Sequence, residues 1–155
     1  MNENSNIRFR LATIGDLDAI VRMLAHDDIG ATRERIETPT AECYIEAFND
    51  INTDPKQELI VVDEDGQVAG CLELTFIRGL SREGMVRAQI ESVRVADHLR
   101  GQGVGQQLFE HAISRARERG CGLVQLTSDK ARPDAIRFYE QLGFTASHEG
   151  MKLKL

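Results

Sequence analysis

Residues 90–105, Ile-Glu-Ser-Val-Arg-Val-Ala-Asp-His-Leu-Arg-Gly-Gln-Gly-Val-Gly, decide how this chain is read. They begin inside a strand-like run from Met85 to Val95 in which Val86, Ala88 and Ile90 put an apolar face at even positions, whereas Val93 and Val95 are odd. One residue too many lies between Ile90 and Val93. A β-bulge near Glu91-Ser92 restores the alternation and bends the strand away from its neighbour. A strand bent in this way leaves backbone N–H and C=O groups free that its ladder would otherwise consume.

The stretch ends in Arg100-Gly-Gln-Gly-Val-Gly105, and a helical stripe of Val104, Leu108, Ala112, Ile113 and Ala116 follows, with Gly120 where a C-terminal cap belongs. Glycines let a backbone approach a ligand closely, and the first N–H groups of a helix are unpaired at the positive end of its dipole. Such a turn suits a phosphate or pyrophosphate, although many glycine-rich turns only reverse the chain. The spacing is not that of a P-loop. It also falls short of GxGxxG, because Gln106 stands three residues after Gly103.

Working outward, Ile7 to Leu11 reads as a short strand, and Thr13 to Asp16 as a capping box opening a helix to about Ala25. Residues 26–39 are polar and irregular, and Thr38-Pro39-Thr40 suits the start of a second helix reaching about Asn52. Gln57–Val62 and Val68–Ile77 are strands joined by the turn Asp63–Gly66. Beyond Gly120, Leu123–Thr127 is a strand. Pro133 opens a helix with Ala135, Phe138, Tyr139 and Leu142 facing inward, and Gly143 closes it. Phe144–His148 and Met151–Leu155 read as a terminal hairpin around Glu149-Gly150. The order β-α-α-β-β-β-α-β-α-β-β implies one α/β domain over residues 1–155, with helices flanking a mixed sheet whose central strand is bulged and splayed.

With 19 Lys plus Arg against 25 Asp plus Glu in 155 residues, the net charge is −6. That acidity argues against a duplex nucleic-acid binder, which would carry a basic footprint. No apolar run approaches the ~18 residues of a membrane span, and the first ten residues lack a signal-peptide core, so the expected location is the cytoplasm. Cys43, Cys71 and Cys121 are odd in number and far apart, which reads as reduced structural cysteines. The scattered His26, His98, His111 and His148 predict no metal site.

Arg100-Gly-Gln-Gly-Val-Gly105 resembles the Q/R-x-x-G-x-G/A signature of the GCN5-related N-acetyltransferases, the GNAT superfamily. Ile90–Val95 resembles that family's central strand. Ala135-Ile-Arg-Phe-Tyr-Glu-Gln-Leu-Gly-Phe144 is similar to its second landmark, about 35 residues on and in the family's order. The resemblance implies an acetyl-CoA-dependent N-acetyltransferase that acts by direct attack of a primary amine. It implies that acetyl-CoA is a co-substrate gripped by Val93, Arg94 and Val95 and by the turn Arg100, Gly101, Gln102, Gly103, Val104, Gly105 and Gln106. On this reading Val93 N–H supports the thioester oxygen, Glu91 is the candidate general base and Tyr139 the acid that protonates the departing thiolate. For Glu91 the plainer alternative is a solvated strand carboxylate near Arg87 or Arg94; for Tyr139 it is a packed helix aromatic.

One position departs from the family. Where many members carry Asn ahead of the second-landmark helix, this chain has Arg132, which cannot accept hydrogen bonds. With Lys130 it is either part of a solvated loop or part of an anion site. The acceptor pocket implied by the family falls on residues 26–45 and 76–86. Asp27, Asp28, Glu34, Glu37 and Glu42 there favour a cationic amine, whereas Arg78 and Arg82 favour an acidic one. A small-molecule amine is the expected partner. A protein N-terminus or lysine, a non-catalytic acyl-CoA sensor and a nucleotide-binding regulator remain alternatives. A homodimer fits the family, but no residue specifies it.

Overall fold

The computed structural model describes residues 6–155; residues 1–5, which belong both to the expected domain and to the N-terminal stretch read for a leader, lie outside the described residues. The centre of the fold is β2 (Gln57–Glu64), where the unbroken apolar run Leu59–Val62 is buried on both faces. Only a middle strand of a covered sheet has that environment. β2 lies between β1 (Ile7–Leu11) and β3 (Gln67–Arg78), and β4 (Val86–Val95) and β5 (Leu123–Leu126) complete a five-stranded sheet in sequential order. The first four strands are antiparallel and β5 runs parallel to β4, which makes the sheet mixed, as expected.

Side-chain alternation divides the core into two layers. Leu59, Val61 and Cys71 face α1 (Leu17–Leu24) and α2 (Glu42–Thr53), meeting Leu17, Ile20, Val21 and Phe48. Ile60, Val62, Leu72, Leu74 and Ile90 face α4 (Val104–Glu118), meeting Val104, Leu108, Phe109 and Ala112. α5 (Pro133–Gln141) closes that side through Phe138 and Tyr139. Between β3 and β4 the chain turns through α3 (Ser81–Gly84), where Arg82 and Glu83 take left-handed backbone angles.

The sequence reading needs correction in two places. Pro39 does not open the second helix. It lies in the loop, and α2 starts at Glu42 behind Ala41. The terminal hairpin is not formed. Phe144 packs against Phe109 and Tyr139, but residues 144–155 contain no strand. Met151, Leu153 and Leu155, in the second strand expected there, all have exposed side chains. β5 offers an edge of only four residues, too short to template a strand of that length.

Candidate active site

The bulge expected near Glu91-Ser92 is present at Ser92. Glu73 pairs with Glu91 and Cys71 with Arg94, so the single residue Leu72 opposes both Ser92 and Val93. Ser92 takes φ +55°, and its carbonyl accepts a 3.4 Å hydrogen bond from Cys71 Sγ. The irregularity reverses side-chain parity and brings Glu91 and Arg94 onto one face, that of α1 and α2.

Parallel pairing of β4 with β5 ends at Ile90↔Leu126, so past Ile90 the outer edge of β4 parts from its neighbour. The gap is a cleft of about 110 Å³ lined by Glu91, Val93, Arg94, Thr127, Arg132 and Tyr139 among others. A larger cavity of about 420 Å³ adjoins it, sharing Val93, Arg94 and Arg132 and extending over Val95 and Ala96 to Arg100 and to Met23, His26 and Asp27 of the α1 end.

Arg100 leads into the glycine turn. Gly103 is the N-cap of α4 at φ +81° and Gly101 stands at φ +74°, and a Cβ on either would meet nothing within 4 Å. These glycines therefore serve conformation and an open surface rather than packing. The first intrahelical bond is Gln107 N–H to Gly103 C=O at 3.0 Å, which leaves Val104, Gly105 and Gln106 N–H without partners inside the helix. Val104 itself is buried in the core, and the side chains of Gln102 and Gln106 turn to His98 C=O and Glu110. The turn presents its backbone and the Arg100 side chain, which pairs with Asp97 at 3.0 Å.

Tyr139 is half-buried against Phe109 and Phe138, with ring centroids 5.5 and 5.6 Å away, so the aromatic-packing reading describes its ring, while the residue also lines the cleft. Burial pushes the phenol pKa up, against a pull downward from Arg132 and Arg94, and keeps it protonated over the neutral range. Glu91 is exposed at the cleft, without an ion pair among the described residues.

Sequence reasoning missed one group and the partners of another. Glu73, directly across from Glu91, is a carboxylate between the buried Leu72 and Leu74, and that mid-strand acid was the available signal. Burial pushes its pKa up, the Ser92 hydroxyl opposes the shift, and the charges of Glu91 and Glu34 add to it. The second is Asp27. Its Oδ2 takes Arg132 at 2.9 Å and Arg94 at 3.3 Å, and its Oδ1 accepts Gly30 N–H at 2.6 Å. The Gly30 bond first, and then the two guanidiniums, hold it below the usual carboxylate range. Nothing local in sequence links Asp27 with residues 94 and 132.

A three-layer α/β fold, a bulged strand splayed from its parallel neighbour and a glycine-capped helix at the splay together define a cleft suited to an extended, phosphate-bearing ligand. Residues 22–144 match the model of the acetyltransferase (GNAT) family, and the chain belongs to that family. It is 32% identical to the aminoalkylphosphonate N-acetyltransferase of Salmonella typhimurium over 61% of this chain and 61% of that protein. It is 35% identical to the glucosamine 6-phosphate N-acetyltransferase of Trypanosoma brucei over 58% of this chain and 59% of the relative. The matches thus span about three-fifths of these relatives' length. Among solved structures, a Bacillus halodurans protein named a transcriptional regulator is 51% identical, with a TM-score of 0.94 over 97% of this chain and all of its own.

Proposed function

We propose that this chain is an acetyl-CoA-dependent N-acetyltransferase that acetylates a primary amine of a small molecule by direct attack. One observation carries the reading. The open edge of β4 joins the cleft at Tyr139 to the cavity that reaches Arg100, the residue that leads into the glycine turn. In this reading Val93 and Val95 backbone groups pair with the pantetheine arm, and the N–H groups of residues 101–106 hold the pyrophosphate. Bound acetyl-CoA supplies an activated acyl group. Val93 N–H, beside the bulge, stabilises the negative charge that develops on the thioester oxygen. Tyr139 donates a proton to the leaving sulfur. Of the facing carboxylates, Glu91 at the cleft and Glu73 across from it are the two candidates for taking the proton of the attacking amine. The Arg94 side chain turns toward Asp27, so its share in the grip is limited to its backbone.

Two relatives named for amines of small molecules support a small acceptor over a protein one. A second reading, a non-catalytic acyl-CoA sensor, is favoured by the name of the Bacillus halodurans protein. The deciding experiment offers acetyl-CoA and a pooled library of amines, amino acids, polyamines, aminophosphonates and short peptides, with products read by mass. An acetylated small molecule is expected. Tight binding of acetyl-CoA without any product would favour the sensor, and no binding would overturn both readings.

A further inference from the structure

We propose that the acceptor is a zwitterion, an amine that also carries a carboxylate, phosphonate or phosphate, and that Arg94 and Arg132 bind the acid group. This deepens the acetyltransferase reading and rests on it for the direction in which the amine points. The bulge puts Glu91 and Arg94 on one face of β4, in register with Glu73 and Cys71 of β3, which are two residues apart. On a regular strand that spacing is about 7 Å. The Glu91 carboxylate and the Arg94 guanidinium therefore stand one small molecule apart at the same cleft, which Glu91, Arg94 and Arg132 all line.

At the cationic end Arg94 and Arg132 converge, with Asp129 also lining the cleft. Arg94 and Arg132 share the single oxygen Asp27 Oδ2, so two guanidiniums meet one carboxylate. Nor is Arg94 saturated. Its side chain is only 16% exposed, one terminal nitrogen reaches the Val93 carbonyl at 2.9 Å, and its Nε is buried without any partner. Buried guanidinium donors are ordinarily all satisfied. Arg132, 44% exposed at the start of α5, is free to turn from Asp27 to a second anion. An acid oxygen entering between the two arginines meets a planar donor pair of the kind that recognises carboxylates and phosphates. The amine of the same molecule then lies toward Glu91 and Glu73. A neutral amine would leave the cationic end unused, and a diamine would be repelled from it.

The test is direct titration of 2-aminoethylphosphonate, β-alanine, ethanolamine and putrescine against the protein without acetyl-CoA, with acetyl-CoA affinity measured separately. The two acidic amines should bind about tenfold or more tightly than ethanolamine. That ratio should collapse in Arg94→Gln, fall in Arg132→Gln at the exposed position, and be partly retained in Arg94→Lys. Thermal unfolding of each variant identifies any that has lost its fold, and Arg132→Gln keeps the test open if Arg94→Gln does. Equal binding of acidic and neutral amines by the unaltered protein would overturn the proposal. So would an unchanged ratio in a folded Arg94→Gln whose acetyl-CoA affinity had dropped, because the guanidinium would then serve the phosphates of the nucleotide. Failure of acetyl-CoA to bind, with the acidic preference intact, would sink the acetyltransferase reading alone.

Discussion

Tyr139 and the two facing glutamates are the groups on which the proposed chemistry is tested. Because burial keeps the Tyr139 phenol protonated through neutrality, it suits proton donation to a leaving thiolate. Tyr139→Phe should lower kcat by about 10²-fold while acetyl-CoA affinity, measured calorimetrically, stays close to that of the unaltered enzyme; equal loss of both would make it a packing residue. Glu73 is the carboxylate whose pKa is displaced toward neutrality, by burial first and by the Glu91 charge in addition. A base works when deprotonated, so activity should fall on the acidic side of the Glu73 pKa. Glu91→Gln removes a neighbouring negative charge, and the acidic limb of the pH–rate profile should then move to lower pH. Glu73→Gln should abolish that limb. A profile unchanged in Glu73→Gln would leave Glu91 as the sole candidate.

At the scale of elements, the bend of β4 is maintained by its neighbour β3. Gly70 pairs with Val95, and a Cβ at Gly70 would stand 2.6 Å from Val62 Cγ2 and 2.8 Å from the Arg94 carbonyl oxygen. Neither is the far end of a flexible side chain. Gly70→Ala should therefore destabilise the protein by about 1–3 kcal/mol in urea unfolding and displace the free edge of β4. A neutral substitution would show that the two strands have room to separate. Ser92 supplies the same information from the opposite direction. At φ +55° a β-branched side chain is strained, so Ser92→Val should cost about 1–2 kcal/mol and Ser92→Gly should not.

For the whole molecule, an ion cluster ties β1 to the start of α1 and to β2. Arg10 bonds Asp16 at 2.7 and 3.0 Å and Asp63 at 2.7 Å, and the Asp16 carboxylate also accepts Thr13 N–H at 2.7 Å. In both aspartates the Arg10 hydrogen bond is the foremost cause of a lowered pKa. Groups with a depressed folded-state pKa stabilise the fold above their unfolded value and lose that contribution as pH falls through the folded one. Stability should thus decline below about pH 4, and Arg10→Met should flatten the decline, as read from the unfolding midpoint against pH. An equally steep decline in Arg10→Met would place the acid sensitivity in other carboxylates. Among the described residues, no helix is long and apolar enough to cross a membrane.

Local sequence determined whatever depends on local periodicity and backbone freedom. The parity slip after Ile90 marked the bulge, the glycines at 101 and 103 marked the α4 cap, and the apolar run at residues 59–62 fell on a fully covered strand. These features follow from side-chain alternation and from conformations that glycine adopts without penalty, both encoded over a few residues. Tertiary structure alone decided what depends on convergence. Asp27, Arg94 and Arg132 come from three separate segments, and Glu73 becomes a partner of Glu91 only through strand register. The end of the chain is the converse case. The alternation of Met151, Leu153 and Leu155 is a strand pattern, but a strand forms only where an edge and a surface receive it, and the short β5 provides neither.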